Sequence, residues 1–194
     1  MDPTAILEQG LTELADVFQA RGVQYALIGG LAVEYHGFSR GTEDIDLVLS
    51  VPQLVLPALL DDLRARGFAF DLPTVIREWN TDGMTALNYK GFVVDWLKPM
   101  LPCVQEVIEN AKPESWLTVP VRVATVEGLI IMKTFAMRMR DQLDISRLLA
   151  ANRGLLDIDY VRSTLHKVLP DDDPRLIGCE ELIQQHYERP FGSS

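Results

Sequence analysis

Apolar residues recur at helical spacing near the start of the chain and then form a short continuous run. Residues 3–21 carry an apolar stripe, with Asp2 placed to cap a helix and Gly22 placed to end it. The apolar run over residues 23–28 predicts a strand that ends at a pair of glycines. Residues 31–36 then predict a short helix.

The remainder of the chain continues this exchange between strand-like and helix-like patterns. The predicted strands cover residues 45–50, 68–72, 84–89, 92–97 and 121–124. The predicted helices cover residues 52–66, 126–151, 158–169 and 174–188. Four prolines interrupt residues 98–120, so no long element is predicted there.

This order of elements predicts an α/β (α+β) fold, in which a mixed β-sheet is flanked by helices. Strands are confined to the first two thirds of the chain, and the final third is helical. We therefore expect a catalytic core over residues 1–124 and a C-terminal helical region, residues 125–194, packed on that core.

Composition excludes several classes of protein. The chain has 194 residues, of which 47% are hydrophobic, and a formal net charge of −10. Two cysteines are too few for a disulfide framework, which favours a reducing compartment. The sequence shows neither an apolar run long enough to span a membrane nor a secretory signal. We expect a cytoplasmic protein that does not engage a membrane.

Positive charge is concentrated in one segment of this acidic chain. Residues 122–153 hold six basic and three acidic side chains, a net charge of +3. Such a segment could attract a polyphosphate that the rest of the chain repels. The alternative is a solvated helix face with internal ion pairs.

Standard catalytic and nucleotide-binding motifs are absent from the sequence. It contains neither a P-loop, nor a dinucleotide-binding glycine motif, nor a nucleophile elbow. His36, His166 and His186 lie far apart and show no metal-ligand spacing. Zinc sites and hydrolytic triads therefore have no support.

Asp44 and Asp46 stand two residues apart where an apolar strand begins. Alternate residues of a strand share a face, so the two carboxylates point the same way. Their repulsion favours a cation between them, and oxygen ligands suit Mg²⁺. The alternative is a pair of polar residues that merely caps the strand.

Two further features accompany this pair. Asp95 lies in an otherwise apolar strand, where a carboxylate needs a partner such as a shared metal ion or an arginine. Gly29 and Gly30 end a neighbouring strand, where the lack of Cβ atoms lets the backbone approach a phosphate.

The combination resembles the minimal nucleotidyltransferases of the DNA polymerase β-like superfamily. It consists of Gly29-Gly30, the pair Asp44 and Asp46 after a short gap, and an isolated Asp95 on a later strand. The resemblance implies that the three aspartates are catalytic and bind two Mg²⁺ ions, or Mn²⁺, and that the glycines bind the nucleotide.

A second stretch is similar to the AbiEii-type toxin nucleotidyltransferases. It covers residues 126–133 and 140–145. The likeness implies that Lys133 binds the nucleotide and that Asp141 and Asp144 bind the acceptor. It also implies a possible antitoxin partner.

The glycine pair departs from the pattern of many superfamily members. They have Gly-Ser where this chain has Gly29-Gly30, so a serine hydroxyl to phosphate is missing. We expect Ser39 or Arg40 to replace it in binding the nucleotide.

A helical wheel over residues 126–151 separates two sides. The side expected to face a cleft comprises Lys133, Met137, Arg140 and Asp144, and the side expected to pack comprises Phe135, Met139 and Leu143. This placement adds Arg140 to the acceptor-binding residues.

We therefore expect an Mg²⁺-dependent enzyme that transfers a nucleoside monophosphate from an NTP to an acceptor hydroxyl. The acceptor remains open between RNA or protein, as for a toxin with a cognate antitoxin, and a small alcohol such as an aminoglycoside. A non-catalytic nucleotide-binding module is a third alternative.

Overall fold

The computed structural model describes residues 2–37, 41–42 and 44–188. Its helices are α1 (Pro3–Arg21), α2 (Gly29–Tyr35), α3 (Leu56–Ala65), α4 (Leu72–Thr81), α5 (Pro102–Asn110), α6 (Val126–Ala136), α7 (Met139–Ala151), α8 (Ile158–His166) and α9 (Pro174–Ile183), which continues into a π-helical turn, Gln184–Glu188. Its strands are β1 (Gln24–Leu27), β2 (Ile45–Ser50), β3 (Phe68–Ala69), β4 (Met84–Tyr89), β5 (Phe92–Leu97), β6 (Lys112–Trp116) and β7 (Val119–Val123).

The strands of the described residues form one mixed sheet in the order β3-β4-β5-β2-β1-β7-β6. The pairs β2/β5 and β1/β7 are parallel, and the other neighbours are antiparallel. This mixed sheet with helices confirms the predicted α/β (α+β) fold class.

Aromatic side chains join α1 to the middle of the sheet. The ring of Phe18 lies 5.0 Å from Tyr25 and 6.1 Å from Trp96, and Trp96 lies 6.0 Å from Trp79 of α4. All four side chains are buried. Trp96 therefore points to the face of the sheet that α1 covers, which fixes the direction of its neighbours in β5.

The predicted elements are confirmed where the apolar pattern is regular, as in α1, β2, β4 and β5. The prediction of a strand over residues 68–72 is wrong beyond Ala69, because the carboxylate of Asp71 accepts a hydrogen bond from the backbone of Thr74 at 3.1 Å and starts α4. The proline-rich stretch 98–120 contains α5 and most of a β6–β7 hairpin. Pro102 stands at the start of α5, and Pro113 and Pro120 stand in the strands of the hairpin.

The prediction of one helix over residues 126–151 is also wrong. Met137 adopts a left-handed backbone conformation with φ 46°, and α7 starts again after Arg138. The carboxylate of Asp141 accepts from the Arg138 backbone N–H at 3.1 Å and from its guanidinium at 2.8 Å. This capping interaction stabilises the new start, so one helical wheel does not describe both helices.

The described residues cluster into two units. The first lies within Met1–Ala32 and Arg40–Ala124, and the second within Val33–Ser39 and Thr125–Ser194. The functional division at residues 124 and 125 stays a prediction. No helix in the described part of the chain is both long and apolar enough to cross a membrane.

Gly10 allows α1 to approach β4 closely. A Cβ atom at this position would lie 2.9 Å from Cδ1 of Tyr89, whose buried ring packs 4.6 Å from the ring of Phe68. We predict that Gly10→Ala lowers the free energy of unfolding in urea, because overpacking costs about 1–3 kcal/mol against about 1 kcal/mol gained in helix propensity. Tyr89→Leu should remove the penalty of Gly10→Ala. An equal penalty in both backgrounds would contradict this contact.

Candidate active site

Asp46 and Asp95 lie side by side on the parallel strands β2 and β5. Their register is direct, and the flanking pairs are Ile45 with Val94 and Leu47 with Trp96. Because Trp96 faces α1, the adjacent Asp95 points to the opposite face, together with Asp46. Both carboxylates are half-buried. The topology thus brings together two residues that are 49 positions apart in the sequence.

Asp44 contributes a third negative charge to this pair. It lies immediately before β2, is exposed, and its backbone N–H donates to the Thr42 hydroxyl at 3.4 Å. Burial raises the pKa of Asp95, and the charges of Asp46 and Asp44 raise it further. All three predicted catalytic carboxylates therefore interact, at the cost of mutual repulsion.

The carboxylates fit a magnesium ion that is bound jointly with a substrate. Within the described residues, no three His, Cys, Asp or Glu side chains form a group that could hold a metal by themselves. Mg²⁺ commonly takes one or two protein carboxylates and completes its octahedron with phosphates and water. A pair of half-buried aspartates with a third charge nearby is a donor set of that kind.

Gly29 makes room for the carboxylate of Asp46. Gly29 has φ 63°, and a Cβ atom there would lie 1.9 Å from Oδ2 of Asp46. The chain is held at this point because the Ile28 N–H donates to the Asp46 carbonyl at 2.9 Å and the Gly30 N–H approaches Asp46 Oδ2 at 3.4 Å. The glycine pair was predicted to admit a phosphate. In the structure, the lack of a Cβ atom at Gly29 leaves space for the carboxylate of Asp46. The spacing of the two residues in the sequence did not reveal this contact.

The predicted nucleotide ligands Ser39 and Arg40 lie outside the described residues. Lys133, Arg140, Asp141 and Asp144 all belong to the second unit, which is described by itself.

Lys133 is buried between two aspartates of α7. Its Nζ lies 2.7 Å from Oδ2 of Asp144 and 3.7 Å from Oδ1 of Asp141, and its exposed fraction is 8%. Burial alone would raise the pKa of Asp141, but hydrogen bonding to Arg138 and the charges of Lys133 and Arg138 lower it. The prediction that Lys133 and Asp144 belong to a charged stripe facing a cleft is therefore wrong, because both side chains are buried against each other.

The expected packing side of the wheel is wrong as well. Met139 is 86% exposed and Leu143 is 50% exposed, whereas Phe135 is half-buried. The left-handed residue Met137 changes the phase of α7 relative to α6, so the two halves bury different sides. Arg140 is exposed, as the wheel predicted.

No protein-family model matches the chain. No curated protein matches it either. Among solved structures, the antibiotic-resistance factor ANT(2'')-Ia aligns with a TM-score of 0.55 and 14% identity, covering 96% of this chain and 100% of that one. This likeness shows that the chain has a nucleotidyltransferase fold.

Two further solved structures align less closely. A nucleotidyltransferase-like protein from Paracoccidioides brasiliensis has a TM-score of 0.45 and 17% identity, covering 88% of this chain and 92% of that one. ANT(2'')-Ia in complex with adenylyl-2''-tobramycin also has a TM-score of 0.45, at 14% identity and coverages of 89% and 94%.

The contact between Gly29 and Asp46 predicts a difference between two glycines of similar conformation. Gly22 has φ 65°, and among the described residues no heavy atom would lie within 4 Å of a Cβ atom there. Gly22→Ala should therefore cost only the backbone strain of about 1–2 kcal/mol. Gly29→Ala adds a collision with Asp46 to the same strain. We expect it to lower the free energy of unfolding in urea by more than Gly22→Ala does. Equal losses would contradict the close approach.

The burial of Lys133 predicts a large effect on stability. Lys133→Met leaves two buried carboxylates without their ammonium partner, and we expect a loss of about 3–5 kcal/mol in chemical denaturation. Arg140→Met, on the exposed side of α7, should stay within about 0.5 kcal/mol of the wild type. Small and similar effects of both substitutions would contradict the burial of Lys133 and indicate that its side chain is exposed.

Proposed function

We propose that the chain is a metal-dependent nucleotidyltransferase that moves a nucleoside monophosphate from an NTP to an acceptor hydroxyl. The observation that carries the proposal is the direct register of Asp46 with Asp95 on parallel strands. Two half-buried carboxylates side by side destabilise a fold unless a cation joins them. The nucleotidyltransferase fold supports a metal and nucleotide as that occupant.

Asp44, Asp46 and Asp95 are the residues that would hold Mg²⁺, with Mn²⁺ as a substitute. When bound, the ions would neutralise charge on the attacking and leaving oxygens. The aspartates orient this charge because β2 and β5 fix their separation through the sheet. Asp95 is the carboxylate that would accept the proton of the acceptor hydroxyl as its oxygen attacks the α-phosphorus and pyrophosphate leaves.

Gly29 and Gly30 would lie along the triphosphate, with Gly29 also keeping Asp46 in place. Ser39 and Arg40 remain proposed phosphate ligands on the strength of the sequence. We assign Lys133 a structural role, because its ammonium is engaged by two carboxylates.

For the acceptor we favour a small cationic alcohol over RNA. The chain carries a net charge of −10, which repels the long phosphate backbone of RNA. In the segment 122–153, moreover, the positive charges of Lys133 and Arg138 are already countered by Asp141 and Asp144. Arg140 remains as an exposed residue that could contact an acceptor.

Two alternatives to this function are a toxin and a non-catalytic nucleotide-binding module. A toxin that modifies RNA or protein, with an antitoxin as its partner, rests on the sequence resemblance of residues 126–145. A nucleotide-binding module without catalysis would have no need of three interacting carboxylates.

The test is transfer of label from [α-³²P]NTPs in the presence of Mg²⁺. The acceptors supplied are hydroxylated small cations, total RNA or a protein extract. We expect labelling of a small cation, and a loss of about 10²–10³ in rate for Asp46→Asn or Asp95→Asn, because each removes a preorganised charge. EDTA should abolish labelling.

The matched control is Asp172→Asn, an exposed aspartate in the turn before α9. It removes the same charge from the acidic surface and should label like the wild type. Undiminished labelling by Asp46→Asn would contradict the assignment of the metal ligands. Labelling of RNA or protein alone would support the toxin alternative.

A further inference from the structure

The face of the sheet that carries Asp95 continues onto the neighbouring strand β4. Two side chains of β4 point to the opposite, covered face: the Tyr89 ring lies against Gly10 of α1, and the Thr85 hydroxyl donates to Glu78 of α4 at 2.8 Å. The residues that alternate with them therefore share the face of Asp95. They are Met84, Ala86 and Asn88, which pair with Leu97, Asp95 and Val93 of β5.

Five apolar residues cover this part of the face, and we call them the β4–β5 surface: Met84, Ala86, Val93, Leu97 and Met100. Leu97 is half-buried and the other four are exposed. Met84 is 57% exposed and Met100 is 67% exposed. Met100 adjoins the strand, because a Cβ atom on Gly83 would lie 3.2 Å from its sulfur. A contiguous exposed apolar surface beside polar groups is typical of a binding site.

Charge and apolar surface lie on opposite sides of Asp95. Asp44 and Asp46 lie on the β2 side, where the metal ions and the triphosphate are proposed to bind. The other neighbour of β5 is β4, and the polar side chain of β4 on this face, Asn88, accepts from the Gly91 N–H at 3.0 Å at the turn. The side of Asp95 that the nucleotide leaves open is therefore bordered by apolar side chains.

We propose that the β4–β5 surface binds the acceptor, and that the reacting hydroxyl of the acceptor is carried by a ring whose C–H face lies on this surface. The inference rests on the proposed transfer reaction and adds the place and shape of its second substrate. A rigid ring suits this surface because it covers apolar side chains with little loss of conformational freedom. Any cationic group of the acceptor would point away from the surface, since an ammonium group loses its hydration there without gaining a partner.

The test is a titration of the ¹⁵N-labelled full chain, followed by amide chemical shifts, with two alcohols of equal charge. One is trans-4-aminocyclohexanol, and the other is ethanolamine, which has the same two groups without the ring. General attraction to the carboxylates is common to both. We expect saturable shifts in β4 and β5, and about tenfold tighter binding of the ring alcohol, because its additional methylene groups leave water.

The variant Met84→Gln/Val93→Thr replaces two exposed apolar side chains by polar ones of similar size. It should raise the Kd of the ring alcohol about fourfold, as for one methylene group removed from contact, and leave that of ethanolamine unchanged. The matched control is Met139→Gln, an exposed methionine of α7 in the second unit, which should bind like the wild type. In the transfer assay, the double variant should raise the KM of a ring alcohol and not that of the NTP.

The proposal is overturned if both alcohols bind equally, or if the double variant binds and labels the ring alcohol like the wild type. Labelling of another acceptor in that case leaves the transfer reaction standing. If the ring alcohol binds as expected but no acceptor is labelled, the transfer reaction is contradicted and the surface remains a binding site for such alcohols. Shifts in β4 and β5 that change on dilution without any alcohol would identify a second copy of the chain as the occupant and overturn the proposal.

Discussion

Repulsion between the carboxylates at the start of β2 and in β5 is the constraint around which the first unit is arranged. The parallel pairing of these strands places Asp46 against Asp95, and the backbone at the end of β1 hydrogen-bonds to Asp46. A residue with a side chain cannot occupy position 29 at that distance, so α2 must begin with glycine. The backbone N–H groups of Ile28 and Gly30 thereby hold Asp46 in place, at 2.9 Å from its carbonyl and 3.4 Å from its carboxylate. Sites of this kind are retained for function at a cost in stability.

The parts of the fold that could be predicted are those in which burial and periodicity agree. β4 alternates between buried and more exposed residues, and β5 is apolar except at Asp95. α1 has a cap at each end and an apolar stripe. The start of α4 at Asp71 was missed because apolar residues stand on both sides of Asp71, at Phe70 and Leu72. The turn at Met137 was missed because methionine is an ordinary helix former. Both hydrogen bonds and packing contacts surround this residue at its φ of 46°. One of these contacts is with α9, where a Cβ atom on Gly178 would lie 2.7 Å from the Met137 methyl group.

The candidate site was predictable to the extent that its signal is local. Asp44 and Asp46 are two residues apart, and strand alternation alone places them together. Their partner Asp95 could be selected only because a charge is conspicuous in an apolar strand. Lys133 was misplaced for the converse reason, since a wheel counts every charged residue as exposed. A lysine whose carboxylate partners are 8 and 11 positions away, across a helix break, does not differ from a surface lysine in any sequence pattern.

The two edges of the sheet have a consequence for how the molecule behaves toward other molecules. One edge, β3, is only two residues long, and the other, β6, has Pro113 in place of a backbone donor and begins with Lys112. Short edge strands, proline and lysine are the devices by which natural sheets avoid pairing with a strand of a second chain. A seven-stranded sheet of the described residues is thus closed to further growth at both ends. Association with a partner through added strands is disfavoured, which leaves side-chain surfaces as the route to any assembly.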